Sequence, residues 1–211
     1  MMCPLGNRCP QGYSPAWCRP QARRRHPAPE ARARQGGRRD RAEASLPRAD
    51  RGVAAADPYH TTAAELHELW LPPALNDLTV HIIRPSNTRR IRRPQISDHE
   101  GLCEREVTWI AGLPVVGRAD TWADLHATVE LRDLIAMGDG IARLPGGPEE
   151  LAAALAWRVR RRCAGVVTLR AAHAHVRPNS RSPMESIGRW VMVSGGVPEP
   201  LLNYDIKDRA G

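Results

Sequence analysis

In this chain of 211 residues the formal charge of +8 is concentrated at one end rather than spread evenly. Residues 1–55 carry 12 Arg against 4 acids, while the rest of the chain balances 19 basic groups against 19 acidic ones. That distribution excludes a uniformly basic globule, and the lack of any apolar run near 18 residues excludes a membrane-spanning helix.

The basic end holds only Leu5, Leu46 and Val53 as branched aliphatics, beside seven Pro and five Gly. So little apolar surface does not offset the entropy of ordering the segment, so residues 1–57 are predicted to be a disordered Arg/Pro-rich tail. Thirty Arg stand against the single Lys207, and Phe is absent. GC-rich coding accounts for that bias, and one reading of the tail is a stretch translated out of its authentic frame. Cys3, Cys9, Cys18, Cys103 and Cys163 form no C-x-x-C pair and read as incidental thiols. The N-terminus has no apolar region after its charges, so it is not a secretory signal, and a reducing compartment such as bacterial cytoplasm is expected.

Thr62-Ala63-Ala64-Glu65 has capping-box spacing, which predicts a helix through Leu66, Leu69 and Trp70 that Pro72-Pro73 ends. Leu78 to Ile83 alternates and is β-branched, which predicts a strand. After a turn at Pro85-Ser86-Asn87, Arg89 to Arg93 is expected to return as a second, basic strand. Glu106–Ile110 and Pro114–Val116 predict two more short strands around Ala111-Gly112. From Asp120 the spacing becomes helical, with Gly138-Asp139-Gly140 expected to weaken or bend the run and Pro145-Gly146-Gly147 to break it. A helix from Pro148 to about Arg162 and another over Val166–Val176 follow. Ser182-Pro183-Met184-Glu185 is a second capping box, opening a helix with Ile187, Trp190, Val191 and Ser194 inward and Gly195-Gly196 at its end. Leu201 to Ile206 is predicted as a strand.

The ordered segments Thr61–Leu66 with Leu71-Pro72-Pro73, Val80-His81-Ile82 with Arg84, and Gly112–Val115 come in a recognisable sequence. Asp120–Leu125, Asp133–Asp139, Arg170-Ala171-Ala172 and Ser182–Ser186 continue it. Together they resemble actinobacterial AbiEi-type antitoxin-like proteins with a C-terminal endonuclease-like domain of the very-short-patch-repair kind. The predicted elements make an α+β chain, a small, mostly antiparallel sheet followed by a helical segment, and the resemblance implies that the last helix and strand open an incomplete nuclease-like unit. On that reading residues 58–178 are the antitoxin-like region and residues 179–211 a truncated endonuclease-like unit. The family's winged-helix segment is replaced by the Arg-rich tail, its Thr-x-x-x-Arg-Thr pattern is altered at Val116–Thr121, and its catalytic Asp and Glu-x-Asp elements are missing.

Mg²⁺-dependent phosphodiester hydrolysis, which the family implies, needs two or three converging carboxylates. Of that set only Glu185 is present, and it already has a role in the capping box, so no cofactor is expected in this form. Asp205 and Asp208 lie too early to be the family's Asp. Asp98-His99-Glu100 with Cys103 and Glu104 reads as solvated loop charge, and His173 and His175, two apart on a helix, do not chelate together. His81 reads as an ordinary strand histidine. For double-stranded DNA the candidate surface is Arg84, Arg89, Arg90, Arg92 and Arg93 on the expected hairpin, since a two-stranded ribbon lies in a DNA groove. Arg158 and Arg160–Arg162 form a second basic group at a helix end. The expected function is a DNA-associated remnant of a defence or toxin–antitoxin/endonuclease-like protein without phosphodiesterase activity. The alternatives are a DNA-binding, antitoxin-like transcriptional regulator and a mis-framed product without settled function. An unpaired strand at Leu201–Ile206 is also expected to promote self-association.

Overall fold

The computed structural model of the chain describes residues 56–75, 78–102 and 105–204. The predicted tail up to residue 55, and Cys103, Glu104, Asp205, Lys207 and Asp208, lie outside the described residues. The protein is α+β, with two small sheets followed by a helical layer.

The first sheet has three strands in chain order: β1 (Asp57–Pro58), β2 (Val80–Arg84) and β3 (Ile96–Glu100). Pro58 lacks an N–H and occupies an edge strand, where that loss costs no central ladder bond. β1 runs antiparallel to β2, but β3 runs parallel to it, in register from Val80↔Ile96 to Arg84↔Glu100. The expected return strand Arg89–Arg93 is therefore corrected, and the sheet is mixed. Side chains outcompete the ladder here. Arg84 donates from NH1 to the carbonyls of Thr88 (2.6 Å) and Pro85 (3.4 Å), and the Ile91 N–H is taken by the Asp98 carboxylate (3.3 Å). A parallel pair also requires the chain to travel back along the sheet before β3 begins. Between the turns at residues 86–88 and 94–95, Arg89–Arg93 is that return leg. Outside any helix or ladder, these residues carry the chain back over the length of five-residue β2, about 13 Å between its end Cα atoms.

The second sheet is the hairpin β4 (Val107–Ile110) and β5 (Leu113–Val116), with Ile110 opposite Leu113 as expected. Its two-residue turn puts Ala111 at φ 49° and Gly112 at φ 83°, the positive values that suit the twist of a tight hairpin.

Helix α1 (His60–Leu66) starts two residues before the predicted capping box, with Tyr59 at its N-cap. Thr62 lies inside the helix, where its hydroxyl accepts from the backbone N–H of His81 (2.9 Å) and ties α1 to β2. The helix stops at Leu66, and Leu69 and Trp70 continue beyond it to pack on the core. The remaining helices are α2 (Arg118–Asp124), α3 (Leu131–Ala142), α4 (Gly147–Arg160), α5 (Val166–Ala174) and α6 (Pro183–Ser194). A 3₁₀ turn at Leu125–Ala127 follows α2. The core gathers around Trp122, which is fully buried and donates its indole N–H to the Leu134 carbonyl (2.9 Å). Leu125, Ile135, Met137, Ile141, Leu151 and Leu169 complete it.

Helix α3 runs unbroken through Gly138-Asp139-Gly140, against the expected weak point. Gly138 is there for clearance: a Cβ would come within 2.6 Å of the Val176 methyl and 3.3 Å of the Trp122 indole nitrogen. Ser182 caps α6 as predicted, accepting from the Glu185 N–H (3.3 Å), and the Glu185 carboxylate accepts from the Arg181 N–H (3.0 Å). The inward face of α6 holds only part of the expected set: Trp190 packs against the core and Ile187 is half-buried. Val191 and Ser194 are exposed, whereas Ser186 and Arg189 are buried against α3, Arg189 pairing with Asp139 at 3.0 Å. Beyond Gly195-Gly196, the described part of the predicted strand Leu201–Ile206 is a turn at Leu202-Asn203. Asn203, at φ 53°, donates to the Asn179 carbonyl (2.8 Å) and to Glu185 (2.9 Å), which bends the chain away from an extended path. The described residues thus offer no unpaired strand there for self-association; residues 205 and 206 lie outside them. No helix among the described residues is long and apolar enough to cross a membrane.

Candidate functional site

Of the five arginines assigned to DNA, four share one surface and the fifth does not. Arg84 is buried, bonded through Nε to both Asp98 oxygens (2.9 and 3.1 Å) and through NH2 to Glu100 (2.6 Å). Its charge is already matched by two carboxylates, so it is corrected from a phosphate contact to the anchor of the segment that follows. Arg89, Arg90, Arg92 and Arg93 are exposed on that segment. Arg90 approaches Asp98 only loosely, at 3.9 Å, and no ion pair forms at Arg89, Arg92 or Arg93 among the described residues. Arg90, Arg92 and Arg93 line an open groove whose floor includes Ser97 and the buried Asp98. Asp98 and Glu100, expected in a solvated loop, are strand residues that hold this anchor.

The opposite face of the sheet carries a group that sequence reading did not join. His60 at the start of α1, His81 on β2 and His99 on β3 stack, with ring centroids 4.8 Å (His60–His81) and 5.3 Å (His81–His99) apart. His81 Nδ1 and His99 Nε2 share a hydrogen bond at 3.1 Å, Ser97 reaches the same His99 nitrogen at 3.2 Å, and His60 bonds Thr128 at 3.0 Å. Burial holds His99 below the usual histidine range, against the pull of Asp98 and Asp124. Tyr59 packs on His99 at 4.9 Å, and its phenol is pushed up to about 12, first by burial and then by the Asp124 charge. Beyond it, Arg105 makes a bidentate pair with Asp124 (both 3.0 Å), Arg158 bonds the same carboxylate, and Arg105, Arg158 and Arg161 surround the Trp157 ring. One member of the predicted helix-end patch is thereby internal: Arg158 is buried, whereas Arg160, Arg161 and Arg162 are exposed. The signal that was available is the period-two placement of Ser97 and His99 beside His81, but it is legible only once β2 and β3 are known to be parallel neighbours.

The imidazoles stack rather than converge, and among the described residues no three His, Cys, Asp or Glu side chains are placed to hold a metal ion. Glu185 does not fit the Mg²⁺ that the resemblance implies. Its carboxylate is engaged by the Arg181 N–H and the Asn203 amide, which hold it below the usual carboxylate range. His173 and His175 sit at the end of α5, with His175 edge-on to Trp190 at 4.7 Å. No family model matches the chain, and no curated protein matches it.

Proposed function

We propose that this is a DNA-associated protein of the defence or toxin–antitoxin/endonuclease-like class, related to AbiEi-type antitoxins and very-short-patch-repair-like domains. It acts by binding double-stranded DNA and has no phosphodiesterase activity of its own. The observation that carries the reading is the segment Arg89–Arg93, four exposed guanidinium groups on a backbone braced from below by Arg84 and Asp98. Exposed, weakly paired arginines on a braced scaffold can release phosphate counterions without first breaking internal ion pairs. Because Glu185 serves the helix cap, a regulator that needs no catalysis is favoured over a nuclease.

The test is fluorescence anisotropy of the full chain on a labelled duplex as salt is raised. Replacing Arg89, Arg90, Arg92 and Arg93 with Ala should reduce the slope of log affinity against log salt by roughly 3–4, about 0.9 per lost phosphate contact. An unchanged slope would refute this surface and leave the binding to other basic groups, the Arg-rich residues 1–55 or Arg160–Arg162.

A further inference from the structure

We infer that the Arg89–Arg93 segment enters the DNA minor groove and prefers narrow, A·T-rich tracts; this rests on the DNA-binding reading above. The width of the element decides the groove. The hairpin expected from sequence would be a two-stranded ribbon, roughly 10 Å across, suited to the major groove of about 12 Å. The observed element is one chain without a ladder partner, because β3 pairs parallel with β2 and the segment is only the return leg between them. A single chain is roughly 5 Å wide and matches the minor groove of about 6 Å.

Three further features agree. The segment is confined at both ends: Arg84 holds the Thr88 carbonyl at one, and at the other Ile96 N–H bonds Arg93 and Val80 N–H bonds Gln95. Little conformational freedom between those ties remains to be lost on binding. The four Arg follow the chain-wide preference for Arg over Lys, and their weakly hydrated guanidinium groups enter a narrow, strongly negative groove at lower desolvation cost than ammonium groups would. Finally, Arg90 is held only loosely by Asp98 at 3.9 Å, so its move to DNA breaks no close ion pair.

The experiment compares the full chain with a variant carrying Lys at positions 89, 90, 92 and 93, which keeps the charge. Each is titrated with an A-tract duplex and a G·C duplex of equal length, with and without a distamycin-type minor-groove ligand. The unaltered chain should bind the A-tract about five-fold or more tighter, the ligand should abolish that preference, and the Lys variant should lose it while still binding DNA. Equal affinity for both duplexes, or a preference that the Lys variant retains, would overturn the minor-groove assignment and leave DNA association standing. Failure to bind either duplex would overturn both.

Discussion

Helix α6 is tied to α3 by an ion pair whose removal should be measurable without ambiguity. Asp139 and Arg189 have side chains only 1% exposed each and meet at 3.0 Å. Asp139 also accepts the Arg177 N–H (2.7 Å), and Arg189 reaches Glu199 (2.9 Å) and the His175 carbonyl (2.7 Å). Burial raises the Asp139 carboxyl above the usual range even with these partners, so the charged pair is held at a desolvation cost. Asp139→Ala removes the compensating anion, leaves a buried guanidinium with the partly exposed Glu199 as its remaining carboxylate, and strips the Arg177 N–H of its acceptor. Losing one partner of such a pair costs about 3–5 kcal/mol, and at about 2–4 °C per kcal/mol the Tm should fall by about 6–20 °C. Urea denaturation followed by Trp fluorescence gives the free energy, and an unchanged m-value would show that the loss is one of stability and not of two-state behaviour. The double variant Asp139→Leu with Arg189→Met should recover most of the loss, because a packed apolar pair carries no desolvation cost. A loss below about 1 kcal/mol for Asp139→Ala would refute the reasoning, since that is the size of an exposed pair.

Stability should fall as pH drops below about 6.5, because burial holds both His67 and His99 below that ordinary value. In that window the unfolded chain binds protons that the folded chain refuses; the loss levels off below the folded values, and Tm measured across pH 7.5 to 5 checks it. Gly147→Ala should destabilise by about 1–3 kcal/mol, because its Cβ would overlap the Ile141 carbonyl, which is backbone and cannot turn aside. Gly140→Ala, with nothing within 4 Å of its Cβ, should instead gain up to about 1 kcal/mol from helix propensity, and paired denaturation curves separate the two. Ser182→Ala should cost about 1 kcal/mol through loss of the α6 cap, read by the same curves.

What the sequence made legible was local. The alternation of Val80–Ile83, the Ala111-Gly112 turn and the Ser182 cap each depend on a few neighbouring residues, and each has its expected element. The misses depend on side chains reaching across the fold. Thr62 looked like a cap because of its spacing to Glu65, yet its hydroxyl serves the N–H of His81, 19 residues away. Arg84 looked like the first residue of a basic ribbon, but Asp98 and Glu100 claim it across a parallel pairing that hydrophobic pattern does not encode. The inward face of α6 was legible at Trp190 but not at Arg189, for the same reason: a helix whose buried contact is an arginine carries its polar residue where apolar periodicity expects none. The histidine stack is a third instance, assembled from three elements whose adjacency only the sheet order reveals.

The connection from β2 to β3 has a consequence for its tolerance to insertion and deletion. Eleven residues, 85–95, join two strands that start at the same end of the sheet. Their contour is at most about 40 Å. Roughly 13 Å of it is consumed by the return leg, and two reversals take much of the remainder. That leaves little slack. Residues added at the outer turn would bulge into solvent, but removing two or three would drag β3 out of step with β2 and unseat Asp98 from Arg84. The same limited contour also spaces the four guanidinium groups, so a deletion would alter the pitch of the charges and the pairing of the sheet together.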